Sequence, residues 1–229
     1  TYLFTGASVA GSLGVASFIA SNHPAIGMGA MFAGIIGTFA GIFGIGFSRC
    51  TLKEDVYSTY TNQPVVIYSS QNSTMRLASF GVLVSSMGVV LSPAFLFYPE
   101  AITPALLASS TVFSSAVLYA YSRPVGSLSA WGPMLGTGLM SLLGVGFAGI
   151  VSDIFLGPSS SLSIALHNMD LYLGIPLFTG FIAYDTHKAV QMYQERNPDH
   201  LVCAVELYLD FINIFIRFVE IIGKSQRDR

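Results

Sequence analysis

No Asp, Glu, Lys or Arg interrupts residues 1–48, and the stretches 77–99, 101–122 and 124–152 are equally free of charge. A water-facing surface cannot be built from such runs, whereas a bilayer core of about 30 Å needs roughly 20 apolar residues per helix. Only 10% of the 229 residues are charged and 52% are hydrophobic, the balance of a membrane protein. Ten Lys and Arg against twelve Asp and Glu leave a net charge of −2 without any basic tract. Nucleic-acid binding, which needs cations to meet phosphates, is thereby excluded. Two cysteines make no disulfide framework. The sequence opens on Thr1 and not on Met, as expected where a leader has been removed or lies outside the sequence.

Polar punctuation divides the chain into seven spans near 2–20, 25–47, 75–97, 102–121, 131–152, 168–193 and 201–222. Ser21-Asn22-His23-Pro24, Tyr98-Pro99-Glu100 and Ser122-Arg123-Pro124 are breaks with a mechanism, since the residue before proline disfavours helix. The expected fold is all-α, a single polytopic domain over 1–229, with 48–74 as a long polar loop inside it. The segment 153–166 reads either as a Gly-Pro-Ser loop or as a partly buried stretch. With seven spans, the even loops carry Arg49, Lys53, Arg76, Arg123, Lys188 and Arg196, while the odd loops hold Glu100, Asp153 and Asp170 with His23 and His167. The positive-inside rule then places the even loops in the cytosol, or in the matrix of a mitochondrion. Lys224, Arg227 and Arg229 in the tail run against this, so the last segment either crosses despite its charge or returns to the side it came from.

In the second span Gly34, Gly37, Gly41 and Gly44 share one helix face. Small residues in this pattern serve close helix packing. A glycine-lined pore is the alternative.

The chemistry is concentrated in the last sixty or so residues, where ionisable groups lie inside otherwise apolar segments, a costly placement that points to function. Glu206, Asp210, Asn213, Arg217 and Glu220 recur at alternating spacings of four and three, which puts all five on one face of the seventh helix. Such a face serves either as an Asp/Arg/Glu ladder fastening the helix to its neighbours or as the lining of an ion or proton route. A tight hairpin turning near Asn197-Pro198 sets Asp185 opposite Asp210, each about nine residues, or roughly 14 Å, from the hairpin end and close to mid-membrane. Two carboxylates in one desolvated site cannot both ionise easily, so the pair is a candidate pH sensor or divalent-cation site. Arg76 begins the third span on the same side as the hairpin and can neutralise the pair, unless it is an interfacial arginine reaching for water. Pro176, in the middle of the sixth span, frees a backbone carbonyl and allows bending there.

His23, His167, His187 and His200 show no metal-ligand spacing and read as interface histidines. Cys50 and Cys203 lie on the even-loop side, where free thiols are expected. Asn72-Ser73-Thr74 matches a glycosylation sequon that this side would not use. No phosphate loop, Ser-His-Asp arrangement or paired-cysteine metal site occurs.

These residues resemble the Bax-inhibitor family, also called the transmembrane Bax inhibitor motif family. The resemblance is carried by Leu171-Tyr172, Tyr184-Asp185-Thr186, Leu209-Asp210-Phe211-Ile212 and Ile214-Phe215, and in the third span by Arg76-Leu77, Gly88-Val89, Leu91 and Pro93. It runs from the second span onward and is most specific in the last two helices. Gly132, the segment from Met134 to Leu139 with Gly136 and Gly138, and Phe215-Ile216-Arg217 look closest to the mitochondrial, growth-hormone-inducible transmembrane protein branch. The resemblance implies six helices around a central seventh, a paired-aspartate pH sensor at Asp185 and Asp210, an Arg76 latch, and calcium leak or calcium/proton exchange. It also implies the mitochondrial inner membrane, with the endoplasmic reticulum or another membrane as alternatives. The loop 48–74 is longer than the family pattern and suggests a docking surface.

Three readings follow. The first is a pH-sensitive calcium leak channel or exchanger whose pathway involves Asp185, Asp210, Arg76, Glu206, Asn213, Arg217 and Glu220, with calcium as transported ion and no permanently bound cofactor. The second is an accessory or scaffold subunit of a larger inner-membrane assembly. The third, an intramembrane aspartyl protease, uses two membrane aspartates to activate water, but the Gly-x-Gly-Asp setting is missing: the local string is Glu206-Leu207-Tyr208-Leu209-Asp210. A non-enzymatic protein is expected, its surroundings being the lipid bilayer.

Overall fold

The computed structural model describes residues 1–22, 28–48, 50–58, 64–194 and 199–227, with 28, 50–58 and 64–71 described by backbone alone. His23, Arg49, Arg196, Arg229 and the turn at Asn197-Pro198 therefore lie outside the described residues. Among the described residues there are seven helices: α1 (Tyr2–Asn22), α2 (Met28–Phe47), α3 (Thr74–Phe97), α4 (Pro99–Tyr121), α5 (Trp131–Leu156), α6 (Ser161–Gln194) and α7 (His200–Arg227). Five of them, α1 to α5, are long and apolar enough to cross a membrane. The other two have 34 and 28 residues, but α6 carries Asp170, Asp185 and Lys188, and α7 carries six ionisable residues between Glu206 and Arg227.

The expectation of an all-α chain needs one correction. The stretch read as a polar loop over 48–74 holds an antiparallel hairpin of β1 (Cys50–Ser58) and β2 (Pro64–Asn72), with Val56 opposite Val66 and Asp55 opposite Ile67. The β-branched run Val65-Val66-Ile67 suits a pleated strand and outweighs the Ser, Asn and Gln that suggest a loop. A second difference falls at 153–166, where α5 continues to Leu156 and α6 starts at Ser161. Between them Gly157 takes a φ of +86°, a conformation that costs glycine nothing and ends the helix. Ser160 then opens α6, its Oγ accepting the Ser163 N–H at 3.1 Å.

The chain packs as two compact units. The first comprises Thr1–Phe97 and Ala189–Tyr208. In it α3 is the partner of both α1 and α2. The glycine face of α2 lies against Ser79, Leu83, Ser86 and Val90 of α3, and a Cβ at Gly41 would stand 2.8 Å from the Leu83 backbone nitrogen. Glycine lets the two backbones approach this closely, as the spacing predicts. On the α1 side, a Cβ at Gly88 would stand 2.8 Å from the Ser12 carbonyl. The buried face of α1 is Thr5, Ser8, Ser12 and Ala16; its hydroxyls return to helix carbonyls, and Thr5 also reaches the Ala204 carbonyl of α7 at 3.3 Å.

The second unit comprises Tyr98–Lys188 and Leu209–Arg229. Glycines again mark close approaches: Gly132 lies beneath Tyr184, Gly138 beneath Leu177, and Gly180 beneath Leu135. Phe113 of α4 meets Phe211 of α7 edge to face, with centroids 5.8 Å apart. The α6 helix runs through Pro176 without interruption. Between Leu201 and Glu220 the one exposed residue of α7 is Ile216, and no residue of α6 from Leu177 to Met192 is exposed. These enclosed stretches carry Asp185 and the polar residues of α7 from Glu206 to Glu220.

Candidate functional site

Arg76 stands in the first turn of α3, where the Ser73 hydroxyl accepts its backbone N–H at 3.3 Å. Its side chain is 1% exposed and does not reach for water. Arg76 Nη2 donates to Asp199 Oδ2 at 2.7 Å. The other oxygen of Asp199 accepts the Val202 N–H at 3.2 Å, so one carboxylate caps α7 and binds the arginine at once. Among the described residues the carboxylate that holds Arg76 is Asp199, at the entrance of α7. The reason is depth, since Arg76 starts its helix and Asp199 precedes its own. Arg76 Nε and Nη1 are buried without a hydrogen-bond partner among the described residues.

Of the five polar residues expected on one face of α7, none is exposed: Asp210 and Arg217 are buried, and Glu206, Asn213 and Glu220 are partly buried. Arg217 is the most elaborately held. Its guanidinium donates to the Asp170 carbonyl at 3.3 Å, to both Asp170 carboxylate oxygens at 3.4 Å, and to Asn213 O at 3.0 Å. It also lies over the Phe178 ring, 5.0 Å from the centroid. Position 174 has to be glycine for this seat, because a Cβ there would overlap the guanidinium. Arg217 thus fastens α7 to a neighbouring helix, its carboxylate partner being Asp170 of α6. Asp210 lies seven positions away, about 10.5 Å along the helix at 1.5 Å per residue.

Beyond Arg217, Glu220 binds His167 of α6 in a short contact and Lys224 at 2.8 Å. An open cleft of about 230 Å³ adjoins this corner, lined by Gly146, Gly149, Asp153, Ser163, His167 and Asp170 among others. The two remaining acids, Asp185 of α6 and Asp210 of α7, are 8% and 7% exposed. Two contacts fix how α6 and α7 run past each other. Met192 meets Cys203 at 3.9 Å, and Phe178 meets Arg217. No group of three or more His, Cys, Asp or Glu among the described residues is placed to hold a metal ion, so a cation site here would rest on two carboxylates.

Several residues had been given no such role by the sequence. Asp199 carried a helix-start signal, an acid just ahead of an apolar helix, but nothing that tied it to Arg76. Asp170 and His167 lie within α6 and not in the loop that the punctuation predicts. His187 had been read as an interfacial histidine, yet it is 3% exposed and its Nε2 accepts the Gly126 N–H at 2.7 Å, where Gly126 has a φ of +85°.

Five apolar helices of this length, in a chain whose other two helices bear buried charges, define an integral membrane protein of the polytopic helical class. The family model described as Inhibitor of apoptosis-promoting Bax1 matches residues 1–227, and the chain belongs to this Bax inhibitor family. It is similar to the probable Bax inhibitor 1 of Paralichthys olivaceus, 29% identical over 169 residues that cover 71% of this chain and 66% of that relative. Bax inhibitor 1 of Homo sapiens is 26% identical over 167 residues with the same coverage. The inner membrane protein YbhL of Escherichia coli (strain K12) is 33% identical over 148 residues, 61% of this chain and 59% of the relative. The chain thus spans 59–66% of these relatives. No solved structure matches it.

Proposed function

We propose that the protein is a pH-sensitive calcium leak channel or calcium/proton exchanger in which all seven helices cross the bilayer and Asp185 and Asp210 form the sensor. The observation that carries this reading is the burial of both carboxylates, at 8% and 7% exposure, on the enclosed stretches of α6 and α7. A membrane protein keeps such groups at its interior for an ion or proton route. The Met192/Cys203 and Phe178/Arg217 contacts support an antiparallel register that brings Asp185 level with the turn containing Asp210. Two like charges there share a proton at one pH and bind a cation at another. Calcium is the cargo, and no enzymatic step is assigned.

Arg76 belongs to the reading as a latch with two positions. Its Nε and Nη1 donors are unfilled among the described residues, and a second carboxylate would satisfy them when the contact to Asp199 opens. The even loops face the matrix if the membrane is the mitochondrial inner one, the location we favour. The experiment is calcium flux into liposomes carrying the purified chain, measured across pH. Flux that rises and falls with pH is expected, and the absence of calcium flux at every pH would overturn the reading.

The β1–β2 hairpin favours a second reading, an accessory subunit of a larger membrane assembly. Two strands of nine residues each exceed what is needed to join two adjacent helices, and an isolated two-stranded hairpin is marginal in water without a further packing surface. Deleting 50–72 and observing unchanged calcium flux but a smaller native complex would support that role.

A further inference from the structure

We infer that Arg217 is the charge-selecting barrier of the pathway, and that Asp170 and Gly174 are the residues that position it. The inference rests on the transport reading above and extends it to the opposite end of α7 from the Arg76 contact. Arg217 shares the polar face of α7 with Asp210, two turns further on. A fixed cation on a route for cations works against conduction, so its placement calls for a reason other than ion binding.

The structure shows a guanidinium whose position is specified from several directions. Asp170 offers its carbonyl and its carboxylate, Asn213 its carbonyl, and Phe178 a ring face. Gly174 leaves the space in which the group sits. An arginine needed only to fasten α6 to α7 could be served by the Asp170 carboxylate alone, as Arg76 is by Asp199. Here the geometry fixes where the charge stands. Asn213 and Asp170 hold it on the stripe, and its Asp170 partner is a third exposed, at the edge of the cleft with Asp153 and His167. The carboxylate is thus screened by water while the guanidinium, 11% exposed, is not. Glu220, the other carboxylate that acts on Arg217, is shared with Lys224 and His167, so the guanidinium is the most enclosed charge of this cluster and the positive end of the pair is the one that faces the interior.

Coulomb energy is linear in the charge of the passing ion and rate is exponential in energy, so a barrier that slows a monovalent ion about threefold slows a divalent one about ninefold. Arg217 consequently sets the calcium-to-potassium ratio and not merely the total leak.

The test is the ratio of calcium to potassium flux in liposomes carrying the full chain. Arg217→Gln, and Arg217→Met as a variant that fills the site without charge, should raise calcium flux about ninefold for a threefold rise in potassium flux. Arg217→Lys, which retains the charge, should leave the ratio near that of the wild type. Gly174→Ala keeps every charge but displaces the guanidinium, and should change the ratio as well. A purely structural role would alter protein yield or both fluxes together without moving the ratio. Wild-type flux with a ratio unchanged in Arg217→Gln, Arg217→Met or Gly174→Ala would overturn the barrier alone. Wild-type vesicles without calcium flux would remove the transport reading and the barrier with it.

Discussion

Replacing Asp199 with Asn isolates the electrostatic part of the Arg76 contact. Asparagine keeps the shape of aspartate and an oxygen to accept the Val202 N–H, so the α7 cap survives, while the partner of a guanidinium that is 1% exposed loses its charge. Breaking a buried ion pair from one side costs about 3–5 kcal/mol. Asp199 is 21% exposed, and water reaching that side brings the expectation to the lower end, about 3 kcal/mol. For a chain of this size that is a fall in melting temperature of about 6–12 °C. Arg76→Met in the same chain leaves no stranded charge, so the double variant should recover about 2 kcal/mol relative to the sum of the single effects. The melt can be followed in detergent with a thiol-reactive dye, because Cys203 is a buried thiol that becomes reactive on unfolding; Cys50→Ser removes the other thiol. An Asp199→Asn variant that melts within about 2 °C of the wild type, or single effects that simply add, would refute the argument.

Gly41→Ala should cost about 1–3 kcal/mol through overpacking, because its Cβ would meet the backbone of α3; Gly46→Ala, with nothing within 4 Å, should be neutral or slightly stabilising in the same melt. Asp153→Cys and Arg123→Cys should be labelled from opposite sides of the membrane by an impermeant thiol reagent. Labelling of both from one side would defeat the seven-crossing topology. His187→Ala should lower stability by about 1–3 kcal/mol, since it empties the space of a ring that is 3% exposed and removes the acceptor of the Gly126 N–H; an unchanged melting temperature would show that the surroundings close over the site and water takes the N–H.

The first four helices stand where the charge-free runs and proline breaks put them, because membrane length and polar punctuation are local properties of the chain, whereas α5 and α6 run further into 153–166 than the punctuation predicts. The packing of α2 on α3 was also legible: Gly34, Gly37, Gly41 and Gly44 can form a bare face only to admit another backbone. The polar face of α7 followed from spacing alone. Pairing was not legible. Arg217 is joined to a residue 47 positions away and Arg76 to one 123 positions away, and nothing local says which of twelve acids each arginine takes. Asp199 gives no local sign of Arg76, because capping α7 is by itself a sufficient reason for an acid at that turn. The hairpin was hidden by composition, since Ser, Asn and Gln in β2 read as loop although the Val65-Val66-Ile67 run is strand-forming.

The measurement closest to the central claim is the pH dependence of calcium flux in liposomes for Asp210→Asn beside the wild type. Asparagine keeps the shape and hydrogen bonding of the site and removes one titratable carboxylate, so Asp185 no longer has a like charge with which to share a proton. Arg217 keeps its partner in this variant, because that partner is Asp170, and the protein should remain folded. The account predicts a wild-type flux that varies with pH and an Asp210→Asn flux that is nearly flat over the same range. A folded Asp210→Asn protein that retains the wild-type pH profile would contradict it.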